Sequence, residues 1–90
     1  MYFEWDDSKN AANISKHGID FRDAIDMFNH PMLTAIDECF MYGEERWTAI
    51  GLMREMVGVV VYTERRESVV RIISARKATR REVRLYEQNI

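Results

Sequence analysis

The sequence predicts an α+β domain: an antiparallel β-sheet of about four to five strands with two N-terminal helices and one C-terminal helix, the helices lying on one face of the sheet. Three observations predict it. Up to Pro31 the apolar residues recur at helical spacing, and after Pro31 they alternate through four successive segments. The later connections between those segments are short and polar, as antiparallel hairpins require. Near the C-terminus, Thr79-Arg80-Arg81-Glu82 reads as a capping box, in which Thr and Glu each satisfy a backbone amide at a helix start.

Taken in order, Tyr2-Phe3-Glu4-Trp5 reads as a short strand with Tyr2 and Glu4 on one face and Phe3 and Trp5 on the other. Asp7 or Ser8 can cap a first helix that runs to about His17, where Gly18 supplies the left-handed stop. On it, Lys9, Asn13, Lys16 and His17 share one side, and Ala11, Ile14 and Gly18 another. A second helix opens near Asp20, places Phe21, Ala24, Ile25 and Phe28 at helical spacing, and ends by His30 because Pro31 disfavours helix in the preceding residue. Strands follow at Met32 to Ile36, Trp47 to Met53, Val57 to Thr63 and Val69 to Ala75. The first connection, Asp37 to Glu45, is longer and less regular than the others. The last helix runs toward Gln88 with Val83, Tyr86 and Ile90 as its buried stripe.

Ninety residues make a single domain, 1–90, with a thin core. The N-terminus lacks a basic segment followed by an apolar one, so no secretory signal is expected, and the apolar run Met56 to Tyr62 is too short to span a bilayer. A lone cysteine, Cys39, excludes an intramolecular disulfide and has no partners for structural zinc. With no base near it in sequence, Cys39 is expected to be inert. A cytoplasmic protein without metal or other cofactor is the expectation. No Walker, Rossmann or Gly-Xaa-Ser-Xaa-Gly pattern is present.

Charge is unevenly distributed. Residues 65–84 carry eight cations and two carboxylates, whereas residues 1–45 carry ten carboxylates and three cations, in a chain of formal net charge −2. One end of the molecule should therefore attract phosphate or an acidic partner, unless the arginines form only a solvated face. Arg80 and Arg81 oppose the dipole of the helix they open, directly after Arg76 and Lys77, and such a breach of local rules suggests an anion site. Surface pairing with Glu82 is the simpler alternative. Arg71 and Arg76 differ by an odd number along one strand, which predicts opposite faces. Arg46 beside Glu44 and Glu45 is a further candidate. His17 either acts as a base or merely bonds the last carbonyls of its helix, and His30 reads as a loop residue.

Several runs resemble BrnT-type toxins in order and over almost the whole chain. They are Phe3-Glu4-Trp5-Asp6, Lys9, Asn13, Lys16-His17-Gly18-Ile19, Phe21, Ala24, Phe28, Glu45-Arg46 and Ile50-Gly51. Val60-Val61-Tyr62-Thr63-Glu64-Arg65, Arg71-Ile72-Ile73-Ser74-Ala75-Arg76, Ala78-Thr79, Glu82 and Tyr86 continue the series. The resemblance implies a RelE-like fold and a small bacterial endoribonuclease, the toxic half of a type II toxin–antitoxin pair. It also implies a BrnA-type antitoxin as partner, through which the complex reaches operator DNA. Metal-free RNA cleavage needs a base for the 2′-OH, an acid for the leaving 5′-oxygen and cations for the charge developing on phosphorus. With the resemblance, Arg46, Arg76 and Arg80 are expected to bind the scissile phosphate and His17 or Glu45 to be the base. Lys16, Arg65, Lys77 and Arg81 are expected to contact RNA, and Tyr86 to be a buried helix residue.

Two other classes remain compatible with the residues. A non-catalytic nucleic-acid- or antitoxin-binding module would use the same basic surface without yielding product. A purely structural domain would pair through an exposed sheet edge, a use for which so dense a set of arginines is superfluous.

Overall fold

The computed structural model describes residues 1–37, 44–66 and 68–90. The irregular connection after Asp37 and the inertness expected of Cys39 lie outside the described residues. Strand β1 (Tyr2–Glu4) leads into helix α1 (Asp7–His17), capped by Asp6, whose carboxylate accepts from the Lys9 amide. The cap therefore lies one residue before the expected Asp7 and two before the alternative Ser8. Gly18, at φ 71°, ends α1 with its amide donating to the Ile14 carbonyl, a left-handed stop that favours glycine. Asp20 caps α2 (Phe21–Ala24), which tightens into a 3-10 segment at Ile25–Asn29 before Pro31.

Strands β2 (Met32–Asp37), β3 (Arg46–Met53), β4 (Met56–Arg65) and β5 (Val69–Lys77) follow, and α3 (Arg80–Asn89) closes the chain. The Thr79–Glu82 capping box is formed as the sequence indicates. The sheet order is β1-β5-β4-β3-β2. Strands β2 to β5 are successive antiparallel neighbours, but β1 pairs with β5 in parallel, Phe3 opposite Val70. The sheet is thus mixed rather than purely antiparallel. The correction has a simple origin: a three-residue strand carries no pattern that names a partner some sixty-five residues away.

The helices do not share a face. Phe21, Ala24 and Met27 pack with Ala49, Met53, Val60, Tyr62, Ile72 and Ala75 on one side of the sheet. Tyr86 and Val83 of α3 pack with Ile50, Val57, Val59 and Leu33 on the other. The signal was the run Met56 to Tyr62, where the alternation expected after Pro31 gives way to continuous apolar residues, as in a strand covered on both faces. On the larger side Phe28 stands edge-on to both Phe3 and Tyr62, ring centroids 5.1 Å apart in each case. Gly58 leaves room there for Met53, since a Cβ would come within 2.5 Å of the Met53 Cε. Burying each of Phe21, Met27 and Ile72 contributes about 1.5–3 kcal/mol. Ile90, expected in the α3 stripe, is instead exposed.

Asn13 is the one residue of the polar side of α1 that turns inward. Its carboxamide accepts from the Ala75 amide at 3.1 Å and donates to the Ala75 carbonyl at 2.8 Å and the Ile19 carbonyl at 2.9 Å. Past the short β1, the outer edge of β5 would otherwise expose these groups, so one side chain completes what a longer strand would have paired.

Candidate functional site

The register assembles a polar row across one end of the sheet. Asp37 of β2 is opposite Arg46 of β3, and Arg71 of β5 lies between Thr63 of β4 and Glu4 of β1. Trp47 pairs with Tyr62, so Arg46 lies beside Thr63, whose hydroxyl donates to the Glu45 carbonyl at 2.8 Å. Trp47, Tyr62, Ile72 and Phe3 point into the larger core, so by alternation Arg46, Thr63, Arg71 and Glu4 project from the opposite face. This is the face that carries α3. The helix, however, packs over Leu33, Ile50, Val57 and Val59 toward the other end. Among the described residues, no helix packs over the row.

Carboxylates hold the arginines of the row in place. Arg71 Nη1 donates to Glu4 Oε2 at 2.6 Å. Glu44 bridges Arg46 and Arg65 at the longer distances of 3.7 and 3.9 Å. The side chains of Arg46, Arg71 and Arg65 are 16%, 29% and 50% exposed, so Arg46 is the most enclosed of the three. Three guanidinium groups facing one way over the sheet have the chemistry to hold an anion, a role that carboxylates of the chain fill here.

Arg71 and Arg76 share this face, contrary to the parity expected from their spacing. Val61 pairs with Ser74 and Tyr62 with Ile72, so Ile73 is an extra residue that resets the alternation. Arg76 nevertheless stands apart from the row. It is opposite Val59, itself opposite Ile50, four residues along β3 from Arg46, which puts the two Cα atoms about 16 Å apart. Its guanidinium grips Glu82 through both nitrogens, at 2.8 and 2.9 Å. The same carboxylate accepts from the Thr79 amide at 2.8 Å, completing the cap of α3. Arg76, with help from Thr79, holds the Glu82 carboxyl down to about 2, and Glu82 in turn raises Arg76.

The remaining sequence-derived candidates are dispersed. Arg80 precedes Glu82 by two residues and so points about 160° away from it around α3. Arg81 is exposed and lines a shallow groove with Arg84, Leu85 and Gln88. Lys77 is exposed at the end of β5. Lys16 and His17 are exposed on the last turn of α1, which continues through Gly18 and Ile19 to the Met53–Met56 end of the sheet. Arg46 opens β3 and Met53 closes it, about 23 Å away. The structure therefore brings Glu45, Arg46 and Arg65 to one end, adds Arg71 and Thr63, and leaves His17, Lys16, Lys77, Arg80 and Arg81 elsewhere. A bulge is invisible to alternation, which is why Arg71 and Arg76 were expected on opposite faces. No cluster of three or more metal-ligating side chains occurs among the described residues, nor is any helix there long and apolar enough to cross a membrane.

Residues 5–82 match the protein family described as ribonuclease toxin, BrnT, of type II toxin-antitoxin system. Among solved structures, the chain is similar to the crystal structure of the Brucella abortus ribonuclease toxin BrnT. The two share 27% identity and superpose with a TM-score of 0.73, over 89% of this chain and 99% of that one. No curated protein matches significantly in sequence.

Proposed function

Because the chain belongs to the BrnT family of type II toxin–antitoxin systems, we propose that it is a RelE-like, metal-independent endoribonuclease that arrests translation and growth in the cytoplasm. A BrnA-type antitoxin is its neutralising partner and connects it to operator DNA. The observation that carries this reading is the row of Arg46, Thr63 and Arg71, with Arg65 beside it, on a sheet face that α3 leaves open.

In this reading the scissile phosphate displaces Glu44 and Glu4 and is held by Arg46 and Arg71. Glu45, at the head of β3, takes the 2′-OH proton. A base must reach the hydroxyl next to the bound phosphate, a condition that favours Glu45 over His17 at the far end of the sheet. The 2′-oxygen bonds to phosphorus, the P–O5′ bond breaks, and a 2′,3′-cyclic phosphate remains. Arg46 and Arg71 stabilise the charge that accumulates on the non-bridging oxygens, a contribution of about 3–4 kcal/mol for a fixed donor in a site of this kind. Arg65 stabilises the charge on the departing 5′-oxygen, which takes its proton from water at this exposed rim and leaves as a 5′-hydroxyl.

Inducible expression of the chain alone should arrest growth with loss of RNA, and co-expression of the antitoxin should restore both. The purified protein should cleave RNA in EDTA and leave cyclic phosphate ends. Tight, salt-sensitive RNA binding without product would instead establish a non-catalytic binding module.

A further inference from the structure

Tyr2 is the most exposed large apolar residue among those described, at 73%, yet its backbone is firmly placed. Its amide donates to the Ser68 carbonyl at 2.6 Å, and it pairs in register with Val69. Phe3 and Trp5 turn into the core, so the Tyr2 ring stands on the other face, that of the arginine row. Val69 is also opposite Arg65, which gives a second row, Tyr2, Val69, Arg65, next to the row of Glu4, Arg71 and Thr63. Strand spacing and rise put Tyr2 about 8 Å from Arg71, on the diagonal. Strand β1 is at the edge of the sheet, so no further strand crowds the ring. Arg66 and Ser68, at φ 50° and 67°, both adopt the left-handed conformation next to the carbonyl that holds Tyr2.

We propose that Tyr2 is a stacking platform for an unpaired nucleobase of the RNA, that of a nucleotide adjoining the phosphate held by Arg46 and Arg71. The inference rests on the ribonuclease reading above and adds a base subsite to it. An aromatic face beside fixed cations is the arrangement by which proteins hold single strands, the cations on the backbone and the ring on a base. Stacking tolerates any base, so the subsite selects unpaired RNA rather than a sequence. A base inside a duplex cannot present its face to Tyr2.

The test is binding of a single-stranded RNA oligonucleotide made uncleavable by 2′-O-methylation, to the wild type and to Tyr2→Thr and Tyr2→Trp. Threonine keeps strand propensity while removing the ring. Tyr2→Thr should weaken binding by about five- to a hundredfold, the usual range for one stacked base, with an unchanged melting temperature. Tyr2→Trp should restore it. An abasic nucleotide at one position should erase the difference between wild type and Tyr2→Thr. Equal affinities for wild type and Tyr2→Thr, or a penalty that persists with abasic substitution at every position, would overturn the subsite alone. A wild type that binds no RNA would overturn the subsite and the ribonuclease reading together.

Discussion

Two arginine groups on one sheet face use the same chemistry for different ends. At one end, Arg76 is clamped through two nitrogens by Glu82, whose carboxylate is itself the cap of α3. At the other, Arg46 and Arg65 share Glu44 at 3.7 and 3.9 Å, and Arg71 meets Glu4 through one nitrogen. An anion that displaced Glu82 would have to undo a helix terminus, whereas one that displaced Glu44 would replace two long ion pairs and leave every helix cap intact. The lesson is that an arginine is available to a ligand according to what else its carboxylate holds. Charge density alone does not separate the two groups, and in the sequence Arg76 lies in the denser one.

The largest expected effect tests the open end. Arg46→Ala should lower single-turnover RNA cleavage per folded molecule by about 10²–10³-fold, with the folded fraction measured by urea unfolding. Equal loss of cleavage in Arg76→Ala, at full folding, would erase the distinction between the two ends. Next is the joint itself. Asn13→Ala strands the Ala75 amide and carbonyl one residue before Arg76, and should cost ~2–4 kcal/mol in urea unfolding. If this end of β5 is purely structural, per-molecule cleavage by the folded fraction stays near that of the wild type.

A smaller effect comes from Glu82→Gln, which can keep the capping bond but loses the ion pair. The folded carboxyl titrates at about 2 against an ordinary 4.5, so its contribution is complete above pH 4.5 and disappears as pH falls through about 2. Wild type should exceed Glu82→Gln by ~2 kcal/mol near pH 6, after allowance for solvent screening, and the gap should close toward pH 2. Equilibrium unfolding across that range measures it. The smallest effect belongs to Arg80→Ala, on the far side of α3 from Glu82. Stability should move by less than ~0.5 kcal/mol and cleavage only through general electrostatics. A drop equal to that of Arg46→Ala would return the phosphate site to the start of α3.

The element order was legible because local chemistry writes it. Gly18 and Pro31 end helices, Thr79 and Glu82 open one, and the alternation after Pro31 marks strands. The larger part of the candidate site was legible in its residue types, since Glu45-Arg46 and Arg65 were singled out. Their grouping was not. Asn13 read as part of a solvated helix side because its partner, Ala75, is sixty-two residues away and presents only backbone. His17, one turn further along α1, read as its companion and lies exposed far from Arg46.

By itself, then, the sequence determined the order and kind of the helices and strands to within a few residues, the excess of arginine in the final third, and the capping box that α3 uses. Each depends on residues within a few positions of one another, and backbone sterics and short-range hydrogen bonds act at that range. Only the tertiary structure decided that β1 joins β5 in parallel, that α3 takes the opposite face from α1 and α2, and that Arg71 falls in line with Arg46. Those outcomes depend on which of several compatible surfaces meet and in what register, and one bulged residue, Ile73, further moves every later side chain of β5, Arg76 among them, to the other face.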